Sequence, residues 1–269
     1  MSKRDWDDAF ANMAHVDGSE KLPGLWSERA AAYRQGSVRI DESLAYGTDA
    51  RETFDLVWPD GPPKGLAVFV HGGYWIRLDK SYWTDLAEGA RQNGWAVALP
   101  QYTLAPAARL TQMTQQIGAA IAQAASMVAG PIRLAGHSAG GHLVSRMVCE
   151  DSPLPAEVLA RVAQCLSISG LHDLRPLMWT QMNADLQIDE AEALRESPAL
   201  LRPIAGAKVT AWVGRAERPE FIRQARLLAL IWEGLEADTK LMIEDGHDHF
   251  SIIEALKQAD SPITEAFAK

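Results

Sequence analysis

Short, almost uninterrupted apolar runs alternate with longer amphipathic stretches along most of this chain. Strands of this composition are buried on both faces, because helices cover each side of a parallel sheet. The pattern therefore predicts an α/β fold, with a mostly parallel sheet and helices on both of its faces. The predicted strands span residues 53–58, 66–70, 95–99, 132–135, 162–169, 209–213 and 240–243. The predicted helices span residues 82–92, 109–128, 140–150, 219–235 and 252–258.

Polar and glycine-containing motifs come directly after these predicted strands. HGGYW follows the strand at 66–70, GHSAG follows the strand at 132–135, and LHD, GRAE and GHDHF follow the three later strands. In an open α/β sheet, ligands bind beyond the carboxyl ends of the strands. The five motifs are therefore expected to meet at one site.

The 269 residues fit a single α/β domain. Residues 175–203 are too many for one crossover helix, so we expect a small helical cap or lid there. Residues 1–45 are polar and mixed in character, and we expect them to pack near the mouth of the site.

The formal net charge of −9 argues against nucleic acid or an anionic membrane as a partner, since both favour a basic surface. Cys149 and Cys165 have neither zinc-type nor C-x-x-C spacing, which is typical of reduced, buried thiols. The charged start MSKRDWDDAF does not resemble a secretory signal, and no run of about 18 apolar residues could cross a bilayer. We expect a cytoplasmic protein that acts on a small-molecule substrate. A homodimer is compatible with this expectation.

Ser138 is the candidate nucleophile, at the centre of a G-x-S-x-G pattern formed with Gly136 and Gly140. A sharp turn between strand and helix needs glycines beside the serine, and it leaves the serine at a helix N-terminus, where N–H groups favour negative charge. Such a short pattern also fits an ordinary strand-to-helix turn. The neighbouring motifs must decide between the two.

The HGG of HGGYW is the second indication of hydrolase chemistry. Glycines at 72 and 73 let the backbone approach a reacting carbonyl, and their N–H groups can act with that of Ala139 as an oxyanion hole. A plain Gly-Gly turn is the alternative. Two motifs in the right order, each after a predicted strand, favour a hydrolase.

The general base is expected after the last strand, where His247 and His249 are candidates. We favour His249, with His247 as a pocket residue. A metal site formed with Asp248 is the weaker interpretation, because other ligands would have to come from distant parts of the chain. No metal or other cofactor is therefore expected. Glu217 has the right offset for the orienting acid, and Asp173 is the runner-up, with helix capping as its alternative role.

HGGYW, GHSAGGHL, SGLHDLRPL, RPEFIRQ and DHF together resemble the kynurenine formamidases, which are α/β-hydrolases related to the esterase group that includes hormone-sensitive lipase. The resemblance implies an α/β-hydrolase fold, with Ser138 as nucleophile, His249 as base, and Gly72, Gly73 and Ala139 around the oxyanion. An Asp stands in the family where this chain has Glu217.

The resemblance also implies hydrolysis of N-formylkynurenine to formate and kynurenine through a formyl-serine intermediate. A carboxylesterase or thioesterase acting on small acyl esters is the alternative, and a binding protein on a hydrolase scaffold is a third hypothesis. The residues expected to line the substrate pocket are Tyr74, Trp75, His137, Trp179, Asn183 and His247. Core packing is the alternative for the tryptophans.

Overall fold

The computed structural model describes residues 4–269, so the first three residues of the expected N-terminal segment lie outside it. Eight strands form one sheet in the order β1-β2-β4-β3-β5-β6-β7-β8. Only β2 runs against its neighbours, β1 and β4, and the other pairings are parallel. The strands are β1 (Ile40–Ala45), β2 (Thr53–Val57), β3 (Leu66–Val70), β4 (Ala96–Pro100), β5 (Ile132–His137), β6 (Val162–Ile168), β7 (Lys208–Gly214) and β8 (Asp238–Glu244).

Helices cover both faces of this sheet, which confirms the predicted α/β architecture. They are α1 (Trp6–Phe10), α2 (Leu22–Arg34), α3 (Glu88–Gln92), α4 (Leu110–Met127), α5 (Ala139–Arg146), α6 (Ala156–Leu159), α7 (Asn183–Leu186), α8 (Glu190–Glu196), α9 (Pro219–Glu233) and α10 (Pro262–Ala268). Short 3₁₀ helices span Met13–His15, Ser19–Lys21, Lys80–Tyr82, Thr84–Ala87, Arg175–Trp179, Pro198–Leu200 and Ser251–Lys257.

The central strands are apolar at every position because both of their faces are buried. In β3 all five side chains are buried, with Val68 facing one layer of the core and Phe69 facing the other. α4, α5 and α9 pack on the Val68 side, and α10 packs on the Phe69 side. Each such side chain contributes about 1.5–3 kcal/mol by leaving water. The carboxyl ends of these strands are thereby held firmly in place.

Several predicted elements differ from the observed ones. The predicted helix at 82–92 is two 3₁₀ segments followed by the five residues of α3, and the predicted helix at 252–258 is 3₁₀ throughout. β1 and α10 were not predicted. β1 reads IDESLA and is half exposed at the sheet edge, so it has no continuous apolar run to mark it.

Residues 175–203 form two 3₁₀ segments with α7 and α8 between them. The carboxylates of Glu192 and Glu196, one turn apart on α8, are both buried. Glu192 pairs with Arg109 at 2.7 Å, and Glu196 pairs with Arg146 on α5 at 3.0 Å. The Glu196–Arg146 pair is buried on both sides, whereas the side chain of Arg109 is partly exposed. The two ion pairs attach residues 175–203 to the start of α4 and to α5.

Both cysteines, Cys149 and Cys165, are free and buried. Burial raises the pKa of the Cys149 thiol to about 12, so it stays protonated. Within residues 4–269, no helix combines the length and the apolar character needed to span a bilayer.

Candidate active site

Ser138 occupies a strained turn between β5 and α5. Its φ of 56° and ψ of −116° lie outside the regions that side-chain-bearing residues favour. A Cβ at Gly136 would lie 2.2 Å from the carbonyl oxygen of Gly140, and a Cβ at Gly140 would lie 1.9 Å from that of Val70. Only glycine fits at either position. The turn therefore presents Ser138 at the N-terminus of α5.

His249 and Glu217 form a buried pair next to this turn. Nδ1 of His249 lies 2.7 Å from Oε2 of Glu217, and both side chains are almost fully shielded from water. Oε1 of Glu217 accepts hydrogen bonds from Ser169 Oγ at 2.5 Å and from the N–H of Gly214 at 2.8 Å. An ionised carboxylate can only accept, so Nδ1 of His249 carries a proton and its Nε2 is free to accept one.

Asp173, the alternative acid, is engaged elsewhere. It forms ion pairs with Arg175 at 2.8 Å and Arg223 at 3.5 Å. Burial alone would raise the pKa of Asp173, but the hydrogen bonds and charges of these arginines hold it below its usual value. The structure brings Glu217, and not Asp173, to His249.

His137 lies between the serine turn and the histidine loop. Its Nε2 is 2.8 Å from the carbonyl oxygen of His249, and the two rings are 4.6 Å apart. Burial and the nearby His249 lower the pKa of His137 well below its ordinary value. His137 is therefore neutral and donates Nε2–H to this carbonyl, which ties the loop after β8 to the end of β5.

The other histidine of the DGHDHF segment does not join the site. His247 Nε2 lies 3.6 Å from Glu244, and Asp248 Oδ1 accepts the N–H groups of Phe250 and Ser251. The side chains of residues 247–249 thus contact three separate sets of partners. Among the residues that the structure describes, no cluster of three or more His, Cys, Asp or Glu side chains could hold a metal ion.

The HGG loop lies directly against Ser138. A Cβ at Gly72 would be 3.0 Å from Cβ of Ser138, and Gly73 has a φ of 112°, which favours glycine. In the described part of the chain, the N–H groups of Gly72 and Gly73 have no hydrogen-bond acceptor. Ala139 opens α5, so its N–H also lacks an intrahelical acceptor. Free backbone donors therefore surround the serine.

A cavity of about 330 Å³ opens over these residues. Ser138, His249, His137, Gly72 and Gly73 all line it. The rest of its lining is mainly apolar and includes an aromatic wall formed by Phe10, Trp26, Tyr74, Trp83 and Phe250. A flat apolar group held among these rings would lie next to the serine and the histidine.

Of the six residues predicted to line a pocket, only Tyr74 and His137 do so. Trp75 is completely buried in the core, edge-on to His142 with ring centroids 5.2 Å apart. Trp179 is 62% exposed and packs near Trp6 on the surface. Its prediction as a pocket residue was wrong, as was that of Trp75.

Asn183 and His247 also lie outside the cavity. Asn183 begins α7, where its side chain accepts the N–H of Ile188 at 2.8 Å and donates to the carbonyl of the same residue at 3.1 Å. It closes a local turn between residues 183 and 188. His247 faces Glu244, as described above, because the chain turns between residues 247 and 249 and sends the two rings apart.

Residues 1–45 were expected to pack near the mouth of the site, but the individual residues of this segment that line the cavity were not predicted. Phe10, Asn12 and Trp26 all line it, and Tyr74 connects them to the HGG loop. The hydroxyl of Tyr74 donates to the carbonyl of Phe10 at 2.5 Å and accepts from Nδ2 of Asn12 at 3.1 Å. Aromatic residues within an otherwise polar segment were the available signal. We call residues 4–26 the roof segment.

Comparisons with known proteins agree with this geometry. A family model described as the alpha/beta hydrolase fold matches residues 67–233. The kynurenine formamidase of Danio rerio is 32% identical over 276 residues, with 92% of each chain covered. A crystal structure from Silicibacter sp. TM1040, described as a candidate thioesterase, superposes with a TM-score of 0.94 at 44% identity, covering 99% of this chain and 100% of that one.

Esterase B of Lactobacillus rhamnosis superposes with a TM-score of 0.68 at 17% identity, with 93% of this chain and 92% of that one covered. This likeness concerns the fold alone. The family model and the formamidase relative agree with this fold. The chain belongs to the α/β-hydrolase family, in the group that includes the kynurenine formamidases, and it is a hydrolase.

Proposed function

We propose that the protein is a serine hydrolase that cleaves N-formylkynurenine, an aryl formamide, to formate and kynurenine. The observation that carries the proposal is the common cavity of Ser138 and His249, with Glu217 behind the histidine and the HGG loop beside the serine. Hydrolysis through an acyl-serine intermediate needs four components, which are a nucleophile, a base, an orienting acid and oxyanion donors.

In the first half of the reaction, Ser138 Oγ attacks the formyl carbon while Nε2 of His249 takes the hydroxyl proton. The negative charge that develops on the formyl oxygen is stabilised by N–H groups of Ala139 and the HGG loop. One such donor contributes ~3 kcal/mol to transition-state stabilisation. The C–N bond then breaks, and the imidazolium gives its proton to the departing aryl amine. Kynurenine leaves, and the formyl group remains esterified to Ser138.

In the second half, His249 removes a proton from water as the water oxygen attacks the formyl ester. The same N–H groups stabilise the second tetrahedral intermediate. The Ser138–formyl bond breaks and the imidazolium returns its proton to Oγ. Formic acid departs and loses its remaining proton to water, which gives formate. Throughout both halves Glu217 stays ionised and holds His249 in the tautomer that can accept at Nε2.

The aromatic wall supports an aryl substrate. Rings of Phe10, Trp26 and Phe250 surround the space next to the reacting groups, and stacked or edge-on contacts with an aniline ring suit them. The Danio rerio relative, which covers nearly the whole chain and is named for this activity, supports the same substrate.

A carboxylesterase or thioesterase is the second candidate. The same serine, histidine and oxyanion donors would cleave a small acyl ester or thioester, and the 44% identical structure from Silicibacter supports this alternative. The two functions differ in the leaving group, since an amine must be protonated as it departs, while a thiolate or phenolate can leave without full protonation.

The decisive experiment compares kcat/KM for N-formylkynurenine, 4-nitrophenyl acetate and acetyl-coenzyme A with the same enzyme preparation. We expect the formamide to be preferred. Negligible formamide hydrolysis beside rapid ester or thioester cleavage would overturn the substrate assignment. For the mechanism, a fluorophosphonate should label Ser138, and Ser138→Ala should abolish both labelling and turnover. Full hydrolysis by Ser138→Ala would exclude the serine mechanism.

A further inference from the structure

Arg77 is an uncompensated cation on the wall of the cavity. Its side chain is exposed at the mouth, and within residues 4–269 it forms neither an ion pair nor a hydrogen bond. Arginines on nearby elements differ, because Arg4 pairs with Glu220 and Arg218 pairs with Asp8. In a chain with a net charge of −9, a free guanidinium at a cavity mouth is a ready partner for an anion.

Asp7 provides the opposite charge on the same cavity. It lies on α1, where Oδ1 accepts the N–H of Gln181 from the cap at 2.6 Å. Within the described range no cation pairs with its carboxylate, whereas the adjacent Asp8 is paired with both Arg218 and His15. Oδ2 of Asp7 is thus available to a ligand with a positive group.

We propose that Arg77 and Asp7 bind an α-amino-acid arm on the substrate, Arg77 through its carboxylate and Asp7 through its ammonium group. The aryl ring of the same substrate lies deeper, among the aromatic side chains. The inference deepens the proposed function and rests on it for the reaction. It assigns the substrate class as aryl acyl compounds that carry a zwitterionic arm, and the two charged residues as determinants of specificity.

Arg77 and Asp7 lie where they can bind a carboxylate and an ammonium group. Guanidinium and carboxylate form two parallel, charge-assisted hydrogen bonds, which fix direction as well as position. Charged groups are costly in an apolar interior, so their place is the solvated mouth, while the ring occupies the apolar interior. Arg77 is exposed and Asp7 is half-buried, whereas Phe10, Trp26 and Trp83 are buried. This difference in burial suits a molecule with a charged end and an aromatic body.

The backbone of Arg77 is also hydrogen-bonded to the HGG loop. The N–H of Arg77 donates to the carbonyl of Gly73 at 3.1 Å, and that of Ile76 donates to the same oxygen at 3.0 Å. A Cβ at Gly73 would lie 2.2 Å from the carbonyl oxygen of Arg77, so the two residues are in close contact. One tight turn therefore carries both the proposed carboxylate partner and the N–H groups beside Ser138.

The test is a binding experiment that needs no turnover. Calorimetry measures kynurenine, its desamino analogue 4-(2-aminophenyl)-4-oxobutanoate, and 2-aminoacetophenone, which lacks the whole arm. The proteins are the wild type, Arg77→Gln, Arg77→Lys, Asp7→Asn and the matched control Arg226→Gln. Arg226 is exposed on α9 and does not line the cavity. The side-chain amide oxygen in Asp7→Asn can still accept the N–H of Gln181.

We expect Arg77→Gln to weaken kynurenine and the desamino analogue by roughly 10- to 100-fold and to leave 2-aminoacetophenone unchanged. Asp7→Asn should weaken kynurenine alone, by about 10-fold. Arg77→Lys should recover part of the loss, and Arg226→Gln should bind as the wild type does. With N-formylkynurenine as substrate, Arg77→Gln should raise KM more than it lowers kcat.

Equal effects of Arg77→Gln on all three ligands, or kynurenine binding no tighter than 2-aminoacetophenone, would overturn the inference. Its failure is separate from failure of the proposed function. A wild type that binds kynurenine through Arg77 but does not hydrolyse N-formylkynurenine supports the arm site and overturns the reaction. A wild type that hydrolyses the formamide while Arg77→Gln has unchanged KM supports the reaction and overturns the arm site.

Discussion

Nδ1 of His249 lies 2.7 Å from Oε2 of Glu217, and neither side chain is open to solvent. The second oxygen of Glu217 is occupied by donors from Ser169 and Gly214. The carboxylate is thereby fixed at both oxygens, and its orientation determines which nitrogen of His249 carries the proton. The longer side chain of Glu reaches the histidine because it starts from the turn after β7.

Glu217→Gln should lower kcat by roughly 10³- to 10⁴-fold with little change in KM, as loss of a triad carboxylate does elsewhere. The amide oxygen of the variant would accept from Ser169 and Gly214, so its NH₂ group would face His249. Nδ1 would then have to accept, and Nε2 would hold the proton it should take from Ser138. Steady-state kinetics on both a formamide and an ester test this expectation.

Asp173→Asn is the matched control, since it removes a buried carboxylate that pairs with Arg175 and Arg223 instead. Its kcat should stay within a few-fold of the wild type, although its stability can fall. If Asp173→Asn lost far more activity than Glu217→Gln, the orienting role would move to Asp173.

His137→Phe should reduce kcat about 10-fold and speed hydrogen exchange in residues 245–250. The substitution removes the donor to the carbonyl of His249, and an unsatisfied buried carbonyl costs about 1–3 kcal/mol. His137→Gln can restore this donor and should recover much of the activity. Exchange rates and kinetics that match the wild type in His137→Phe would show that the contact does not position His249.

Tyr74→Phe should raise KM several-fold and change kcat less. It deletes the hydroxyl that donates to Phe10 and accepts from Asn12, at a cost of about 1 kcal/mol for each hydrogen bond. The roof segment would then exchange its amide hydrogens faster, while β3 would not. An unchanged exchange pattern across residues 10–14 would contradict this account.

Stability should fall steeply as the pH drops from about 6.5 toward 4. Burial lowers the pKa of His71 and His142 to about 4 and that of His172 to about 3. Below pH 6.5 these histidines are protonated in the unfolded chain but not in the folded one, so acid favours unfolding. For His142 the lost stability reaches ~3 kcal/mol once the pH is below its folded pKa.

Urea unfolding at pH 8, 6 and 5 measures this dependence. His142→Gln keeps a donor for the carbonyl of Glu196. In this variant the free energy of unfolding should fall less steeply with decreasing pH, by up to ~1.4 kcal/mol per pH unit. Parallel profiles for variant and wild type would exclude His142 as a contributor.

The positions of Ser138 and Glu217 could be predicted because they depend on local rules. Glycines at 136 and 140 are required wherever a strand turns this sharply into a helix, and a residue after β7 must emerge at the carboxyl edge of the sheet. The same rules placed His249 after the last strand. The positions of these residues follow from the order of the strands and the steric limits of the turns, and both can be inferred directly from the sequence.

The aromatic wall could not be predicted in the same way. Tyr74 and Trp75 are neighbours with φ values of 53° and 59°, and this tight turn sends one into the cavity and the other into the core. Nothing in their composition distinguishes them. Trp26 lines the cavity while its ring packs against those of Trp83 and Phe250, with centroids 4.7 Å and 5.8 Å away. Both contacts join segments far apart in sequence.

The roof segment can vary in sequence separately from the residues that carry the chemistry. Its attachments include the hydrogen bond from Tyr74 to Phe10, the hydrogen bond from Gln181 to Asp7, and ion pairs such as Asp8 with Arg218. None of these three contacts involves Ser138 or Glu217. Substitutions there can reshape what the cavity admits without disturbing the chemistry beneath it. Descendants of one ancestral hydrolase could thus acquire new substrates by changing a short stretch of chain, and exchanging residues 4–26 between relatives offers the same route to an engineer.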